Sequence, residues 1–452
     1  MAKRFVVLGG GPAGNTAASV AASHGAEVTL VEREVVGGAA HLRDCVPSKA
    51  MIATGNALRD LDRAAARGLR AAGSIDDAAL RARVADMQTR LTDDVTRLLD
   101  SQGVRLLRGS GRLTGPHRVA VTHDGGTEEI EADAILLSTG SRARIPDWAP
   151  VDGERVLSTR DAYPPPEIPE HLVVVGSGVT GVEFTHMFSA LGSRVTLVVS
   201  RQQVLPTKDA EVAAVLEDEF LRRGVDLLKG ARAHAIRREG DRVVVVCEDG
   251  RTVPGSHGLL CIGSVPNSEG LGLDAAGVEA SPSGHVPGNR HCQTNVPHIY
   301  SAGDLSGRLP LSSVATAQGR SVAEHVMGLT TVEHRHLEYD KAAQAVFTDP
   351  EIAEVGVAEA EAFATGAKLR VTKVPFSANA RALINGDPRG FAKLLSDPAT
   401  GVVLGGVVVG RNASELISVV AVAVSNRLRA ADLVDALLVH PALTESVAEA
   451  AT

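Results

Sequence analysis

Cysteine is scarce in this chain of 452 residues: there are four, Cys45, Cys247, Cys261 and Cys292, and no two are spaced as CxxC. That scarcity excludes a disulfide-stapled scaffold and a thiolate zinc site, and it fits a reducing, cytoplasmic compartment. No other metal site is legible. Long apolar runs are missing as well. Nothing approaches the roughly 18 consecutive apolar residues that span a bilayer. The opening MAKRFVVLGGG does not read as a signal peptide, because its short apolar run passes straight into a glycine turn. Positive charge is also in deficit, with 46 Lys and Arg against 54 Asp and Glu and a net charge of −8. A nucleic-acid or acidic-membrane partner would favour a basic face, so neither is expected. What is present is ordinary for a globular protein, 44% hydrophobic and 22% charged residues. The length exceeds what one core usually organises, so two or three domains are expected.

An internal repeat supplies the first positive signal. RFVVLGGGPAGNTAASVAASHGAEVTLVE (Arg4 to Glu32) and HLVVVGSGVTGVEFTHMFSALGSRVTLVV (His171 to Val199) align at a constant offset of 167 positions. Each copy reads as an apolar strand, a GxGxxG turn, a helix and a second apolar strand. A lone GxGxxG is weak, but one that follows a strand, opens a helix and recurs in frame is strong. Gly9, Gly11 and Gly14, with Pro12 and Ala13 between them, form the first turn. Gly176, Gly178 and Gly181, with Val179, form the second. Such glycines let backbone N–H groups approach a pyrophosphate at a helix N-terminus.

The copies differ where the second strand ends. The first closes on Glu32, 23 positions after Gly9, where a carboxylate can bind an adenosine ribose hydroxyl. The second closes on Val199, Ser200 and Arg201, which offer no carboxylate to repel a 2′-phosphate and can hydrogen-bond one. The first copy therefore reads as an FAD site. The second reads as an NAD(P)H site that accepts NADPH or NADH. A solvated arginine after a strand is the plainer account of Arg201.

Between the copies, Lys49 to Gln102 carries apolar residues at helical spacing among many charges, the pattern of long amphipathic helices. Prolines in YPPPEIP (Tyr163 to Pro169) break regular structure before the second copy. From about Val332, alternating strands followed by helices read as an α+β unit.

These segments resemble the flavoprotein disulfide reductases, the lipoamide dehydrogenase-like superfamily, over nearly the whole chain. GGAAHLRDCVPSK (Gly37 to Lys49, opening on Gly37 and Gly38) resembles the motif that there carries two cysteines before PSK. Ser138-Thr139-Gly140 and Ser301-Ala302-Gly303-Asp304 resemble that family's further flavin motifs. Gly263 lies in a segment, IGSVPN, like that of the coenzyme domain. The resemblance implies an α/β fold of two Rossmann-like domains, for FAD and NAD(P), and a C-terminal α+β dimerisation domain. The implied boundaries are 1–148 with 266–331, then 149–265, then 332–452. It also implies a homodimer. Lys49 and Glu183 match the ion pair placed beside flavin N5. His440 and Glu445, in HPALTE, match an acid–base dyad contributed by the partner subunit, and imidazole suits proton transfer near neutral pH.

The departures define the expected chemistry. Cys45 fills the second cysteine position of the motif, but the first holds Ala40, so no redox disulfide can form there. Ser264, Val265 and Ser313 replace two arginines and a histidine common in the family. Cys45 is left to tune the flavin as a thiolate or to pack as a small buried residue. The other three cysteines look structural. Two relatives lack one redox cysteine: a quinone-reducing branch and the soluble pyridine nucleotide transhydrogenase. AAHLRDCVPSK and ATAQGR favour the first. The expectation is an FAD-dependent NAD(P)H dehydrogenase that passes electrons to a quinone. The transhydrogenase and a non-enzymatic flavin-binding redox sensor are the alternatives.

Overall fold

The computed structural model describes residues 2–165, 167–329 and 337–452. The expected boundary at 331/332 lies outside the described residues. The longest helices, in chain order, are α1 (Pro12–Ser23), α2 (Val46–Asp62), α3 (Asp77–Ser101), α4 (Val179–Ala190), α5 (Ala210–Arg222), α6 (Ser312–Val326) and α7 (Ala413–Asn426). The residues gather into two compact units. One comprises Met1–Ser48, Asp77–Arg144 and Ser264–Tyr339; the other comprises Lys49–Asp76, Ile145–Gly263 and Asp340–Thr452.

The first unit is built on a five-stranded parallel sheet. Its order is Ile299–Ser301, Ala134–Leu137, Arg4–Leu8, Glu27–Glu32 and Arg105–Arg108. The central strands read as unbroken apolar runs because a parallel sheet is covered on both faces. Phe5, Val7, Leu30 and Leu136 are all fully buried on one side of it. On that side α1 packs on α6 with backbones nearly touching. A Cβ on Gly319 would lie 2.1 Å from Ala13 O. Small residues at Ala13, Ala17, Ala18 and Ala21 permit that approach. The sheet's other face is covered by an antiparallel meander of Ser110–Gly115, Arg118–His123 and Gly126–Glu131. The amphipathic segment after Lys49 forms α2, most of which belongs to the other unit, and the 25-residue α3 of this one, which buries only Leu80, Val84 and Leu99.

The second unit holds a matching parallel sheet, ordered Asp226–Lys229, Arg194–Val199, His171–Val175, His257–Leu260 and Val156–Leu157. Its register repeats the first: Arg4 pairs with Glu27, and His171 pairs with Arg194. The unit also contains a five-stranded antiparallel sheet. Its order is Gln344–Val346, Glu351–Gly356, Val403–Gly410, Phe391–Ser396 and Arg370–Pro375. Leu416, Ile417, Val420, Ala423 and Val424 of α7 cover one face. No helix among the described residues is long and apolar enough to cross a membrane. The same residues contain no group of three or more His, Cys, Asp or Glu that could hold a metal ion.

Candidate active site

The first glycine turn is shaped by backbone crowding. Gly9 has φ +103°, and a Cβ there would lie 2.4 Å from Ser138 O. A Cβ on Gly14 would lie 1.9 Å from Gly9 O. Only glycine fits either place. Gly11 caps α1 in an extended conformation without a side-chain cap, and Pro12 occupies its first turn. The free N–H groups of that turn are thus open to an anion, and the helix dipole favours one. Gly37 N–H donates to Gly10 O (2.9 Å), which brings Gly38 against Gly11. Glu32 accepts from Gly10 N–H (2.7 Å) and Glu34 N–H (2.6 Å). Those bonds leave lone pairs on both carboxylate oxygens, since a carboxylate accepts about four hydrogen bonds.

The remaining motifs of the first unit are braced together. Thr139 Oγ1 donates to Asn267 O (2.7 Å), and Asn267 N–H returns to Gly140 O (2.9 Å). Asp304 accepts from Ser141 Oγ (2.6 Å). Gly303 N–H donates to Gln318 Oε1 (2.7 Å), and Gln318 Nε2 donates to Tyr339 Oη (3.0 Å). Cys45 ends a π-helical turn, Ala40–Cys45, that runs on into α2. It is half-buried and in no disulfide, and its carbonyl accepts Ser48 Oγ (2.9 Å). The other three cysteines are free and buried in their cores. Burial raises all three thiols, Cys292 to about 11.

In the second unit the turn is reproduced almost atom for atom. Gly176 has φ +109°, with Cys261 O 2.3 Å from a Cβ there, and Gly181 would meet Gly176 O at 1.8 Å. Gly178 caps α4 as Gly11 caps α1, and Val179 opens the helix partly exposed. Leu205 N–H donates to Ser177 O (2.8 Å), taking the part played by Gly37 on Gly10. The Val199 side chain is wholly buried, whereas Ser200 and Arg201 are exposed at the strand end. Gly263 has open space on the side a Cβ would occupy.

The Lys49–Glu183 pair forms within the same unit. Lys49 Nζ donates to Glu183 Oε2 (2.8 Å). The other oxygen, Oε1, accepts Phe347 N–H (2.9 Å), and the ammonium lies 4.8 Å from the Phe347 ring centroid. Three residues on along α4, His186 is completely buried. Its Nδ1 accepts from Arg223 Nη1 (2.8 Å), and Nε2–H donates to Asn56 Oδ1 (2.9 Å). Burial, then the Arg223 charge, lowers its pKa to about 3, so it stays neutral.

His440 and Glu445 meet as expected. His440 Nδ1 lies 2.7 Å from Glu445 Oε1, and Glu445 Oε2 accepts Ala442 N–H (2.8 Å). The Ala442 bond, then His440, holds the Glu445 carboxyl below its usual range. A carboxylate only accepts, so Nδ1 carries the proton and Nε2 is free to face a ligand. The imidazole is 74% exposed. Sequence reasoning missed Phe347, His186, Asn56, Gln318 and Ser141. Only ATAQGR, which contains Gln318, carried a local signal.

Comparison with known proteins settles the family. Residues 3–319 match the model of pyridine nucleotide-disulphide oxidoreductases, and residues 342–451 match the dimerisation domain of the same family. The chain belongs to the pyridine nucleotide-disulphide oxidoreductases. It is therefore an oxidoreductase with two Rossmann-like domains and a C-terminal α+β dimerisation domain, in a family that uses FAD and NAD(P)H. Both glycine cradles fit that pair of dinucleotides. It is 44% identical to an NAD(P)H dehydrogenase (quinone) of Mycobacterium tuberculosis H37Rv, covering 100% of this chain and 94% of the relative. A dihydrolipoyl dehydrogenase of Haloferax volcanii is 36% identical over 99% of this chain and 95% of its own. Among solved structures, LpdA from Mycobacterium tuberculosis superposes with a TM-score of 0.94 at 44% identity, covering 99% of each chain. The HOCl-induced flavoprotein disulfide reductase RclA from Escherichia coli, at 24% identity and TM-score 0.87, shares the fold.

Proposed function

We propose that this chain is a cytoplasmic, homodimeric, FAD-dependent NAD(P)H:quinone reductase that works without a protein disulfide. The observation that carries the reading is Ala40 at the first cysteine position of the redox motif, which leaves Cys45 the motif's single cysteine, in no disulfide. A disulfide substrate needs an attacking thiol that is then resolved by a second one, and the motif holds only one cysteine. The name of the Mycobacterium tuberculosis relative points the same way. FAD, when bound, supplies a two-electron carrier between NAD(P)H and a quinone, which needs no sulfur.

The chain's own groups take the following roles. Gly9, Gly11, Pro12, Ala13 and Gly14 would receive the FAD pyrophosphate, with Glu32 on the adenosine ribose and Gly37 and Gly38 closing the turn. Thr139, Gly140, Gly303 and Asp304 would line the rest of that site. Gly176, Gly178, Val179 and Gly181 would receive the NAD(P)H pyrophosphate, Ser200 and Arg201 the adenosine ribose or its phosphate, and Gly263 the far end. Lys49, held by Glu183, would offer a cation to the flavin, where negative charge develops on reduction. Cys45 tunes the flavin environment. His440 protonates the quinol oxygen through Nε2, oriented by Glu445. Exposed Leu437 and Val439 beside His440, together with the match to the dimerisation domain, support a two-fold interface there. The division 1–148 with 266–331, 149–265 and 332–452 follows from these assignments.

The test is an acceptor panel on FAD-loaded protein, comparing quinones, an NAD analogue, oxygen, lipoamide and oxidised glutathione with NADPH as donor. Quinones should dominate and disulfides should be poor. Fast disulfide turnover lost in Cys45→Ser would overturn the reading. Dominant transfer to the NAD analogue would favour the transhydrogenase.

A further inference from the structure

The Glu183 carboxylate divides its two oxygens between different parts of the second unit. One holds the Lys49 ammonium and the other holds the Phe347 N–H, in the segment that opens the C-terminal sheet. Phe347 sits at the apex of a tight turn closed by Thr348 N–H on Val346 O (3.0 Å). Two residues on, Asp349 is gripped by three arginines. Arg63 Nη2 (2.7 Å) and Arg223 Nη2 (3.0 Å) reach its Oδ2, and Arg389 Nη2 (2.5 Å) reaches its Oδ1. Arg223 also donates to the Asp349 carbonyl. These arginines come from the end of α2, the end of α5 and the strand-preceding loop before Phe391. Burial pushes the Asp349 carboxyl up, but Arg389, Arg63 and Arg223 outweigh it and hold the group well below the usual carboxylate range. Only Thr348 lies between Asp349 and Phe347, and its Oγ1 donates to Pro350 O (2.6 Å), which ties the turn to the residue that follows Asp349.

We propose that Asp349 is a positioning residue: through the Phe347 N–H it fixes the Glu183 carboxylate, and so the place of the Lys49 ammonium. Lys49 is 30% exposed at its side chain, and among the described residues Glu183 is its one ionic partner. Glu183 can orient it only if Glu183 is itself held. The Phe347 N–H is that hold, and its ring faces the ammonium as a further, weaker restraint. The C-terminal sheet thereby contributes to the redox site from within its own subunit, separately from any histidine it lends to a partner. The proposal rests on the reading that Lys49 acts on the flavin.

The test compares FAD-loaded wild type with Asp349→Asn, Arg63→Gln and Lys49→Met. The readouts are flavin midpoint potential, single-turnover flavin reduction by NADPH, and thermal midpoint. Asp349→Asn should shift the potential in the same direction as Lys49→Met and slow reduction about tenfold, the usual scale for loss of an orienting partner. KM for NADPH should stay unchanged. Arg63→Gln removes one of the three arginines and should give a smaller shift of the same sign, which keeps the test available if Asp349→Asn does not fold. A loss of thermal stability with no change in potential in either variant, while Lys49→Met does change it, would show the arginine cluster to be purely structural. An unchanged potential in Lys49→Met would overturn the reading of Lys49, and this proposal with it.

Discussion

The two glycine-turn units of this chain share a backbone and diverge in side chains. Gly9 and Gly176 have φ of +103° and +109°, and Gly14 and Gly181 crowd the preceding carbonyl at 1.9 and 1.8 Å. The helices they open are different objects. In α1 the buried positions are alanines and a glycine, because α6 packs against it at backbone distance. In α4 the buried positions include Phe184, Phe188, Glu183 and His186. Thr16 and Ser19 of α1 stand where α4 has Glu183 and His186. The turn is shared by both units, and the helix behind it sets what each unit buries beneath the turn.

The sharpest way to break this comparison is to fill one cradle at a time. Gly14→Val should yield a colourless protein, because the added side chain lands on Gly9 O and Ser138 Oγ and closes the FAD cradle. Gly181→Val should stay yellow and show a KM for NAD(P)H raised by more than about tenfold, as expected for lost phosphate hydrogen bonds. Absorbance at the flavin band and steady-state kinetics separate the two. The reverse pattern would exchange the assignments.

Grafting the strand end of the first unit onto the second sharpens it further. Ser200→Glu supplies, at the exposed end of the strand, a carboxylate like the one Glu32 supplies in the first copy. The ratio of kcat/KM for NADPH over NADH should fall about tenfold, the scale of one charge-assisted hydrogen bond lost and one repulsion gained. A wild-type enzyme already strict for NADH would contradict the reading of Ser200 and Arg201.

His186 gives α4 a pH response that α1, with Ser19 at the equivalent place, lacks. Its pKa is about 3 in the fold against about 6.5 free, so between those values the unfolded chain binds the extra proton. The stabilising contribution is complete above about pH 6.5 and falls as pH drops, by at most about 1.4 kcal/mol per pH unit. Thermal midpoints measured from pH 7 to pH 4.5 should decline less steeply in His186→Gln than in wild type, whatever its offset at pH 7. Equal slopes would show that other groups carry the acid sensitivity.

The smallest expected effect is at Cys45. Cys45→Ser should keep most of its quinone reductase activity while the flavin absorption band shifts. Near-complete loss of quinone turnover would make the thiol part of the electron path.

The glycine turns, the fold class and the offset between the copies were legible because each is written in a few neighbouring residues. The pairing of Lys49 with Glu183 was legible only through resemblance, since the two lie 134 positions apart. Phe347 and Asp349 were not legible. Their roles depend on a backbone N–H and on arginines up to 286 positions away, and no local periodicity marks such contacts. The burial of Val199 escaped for a related reason: a strand-end valine looks alike whether or not later residues cover it. The π-helical turn at Ala40–Cys45 left no signature, because its composition reads equally as loop or helix.

The strand order of the first sheet also sets a schedule for the ribosome. Ile299–Ser301 closes the edge beside Ala134–Leu137, yet it is made about 290 residues after Arg4–Leu8. At about 5–20 residues per second, roughly 15 to 60 s separate the first strand from the last. Over about the last 160 residues of that interval, once Ala134–Leu137 is made, the nascent sheet has four strands and an open row of backbone donors and acceptors, a template for another unfinished chain. A chaperone resting on that edge would shield it until Ile299–Ser301 arrives.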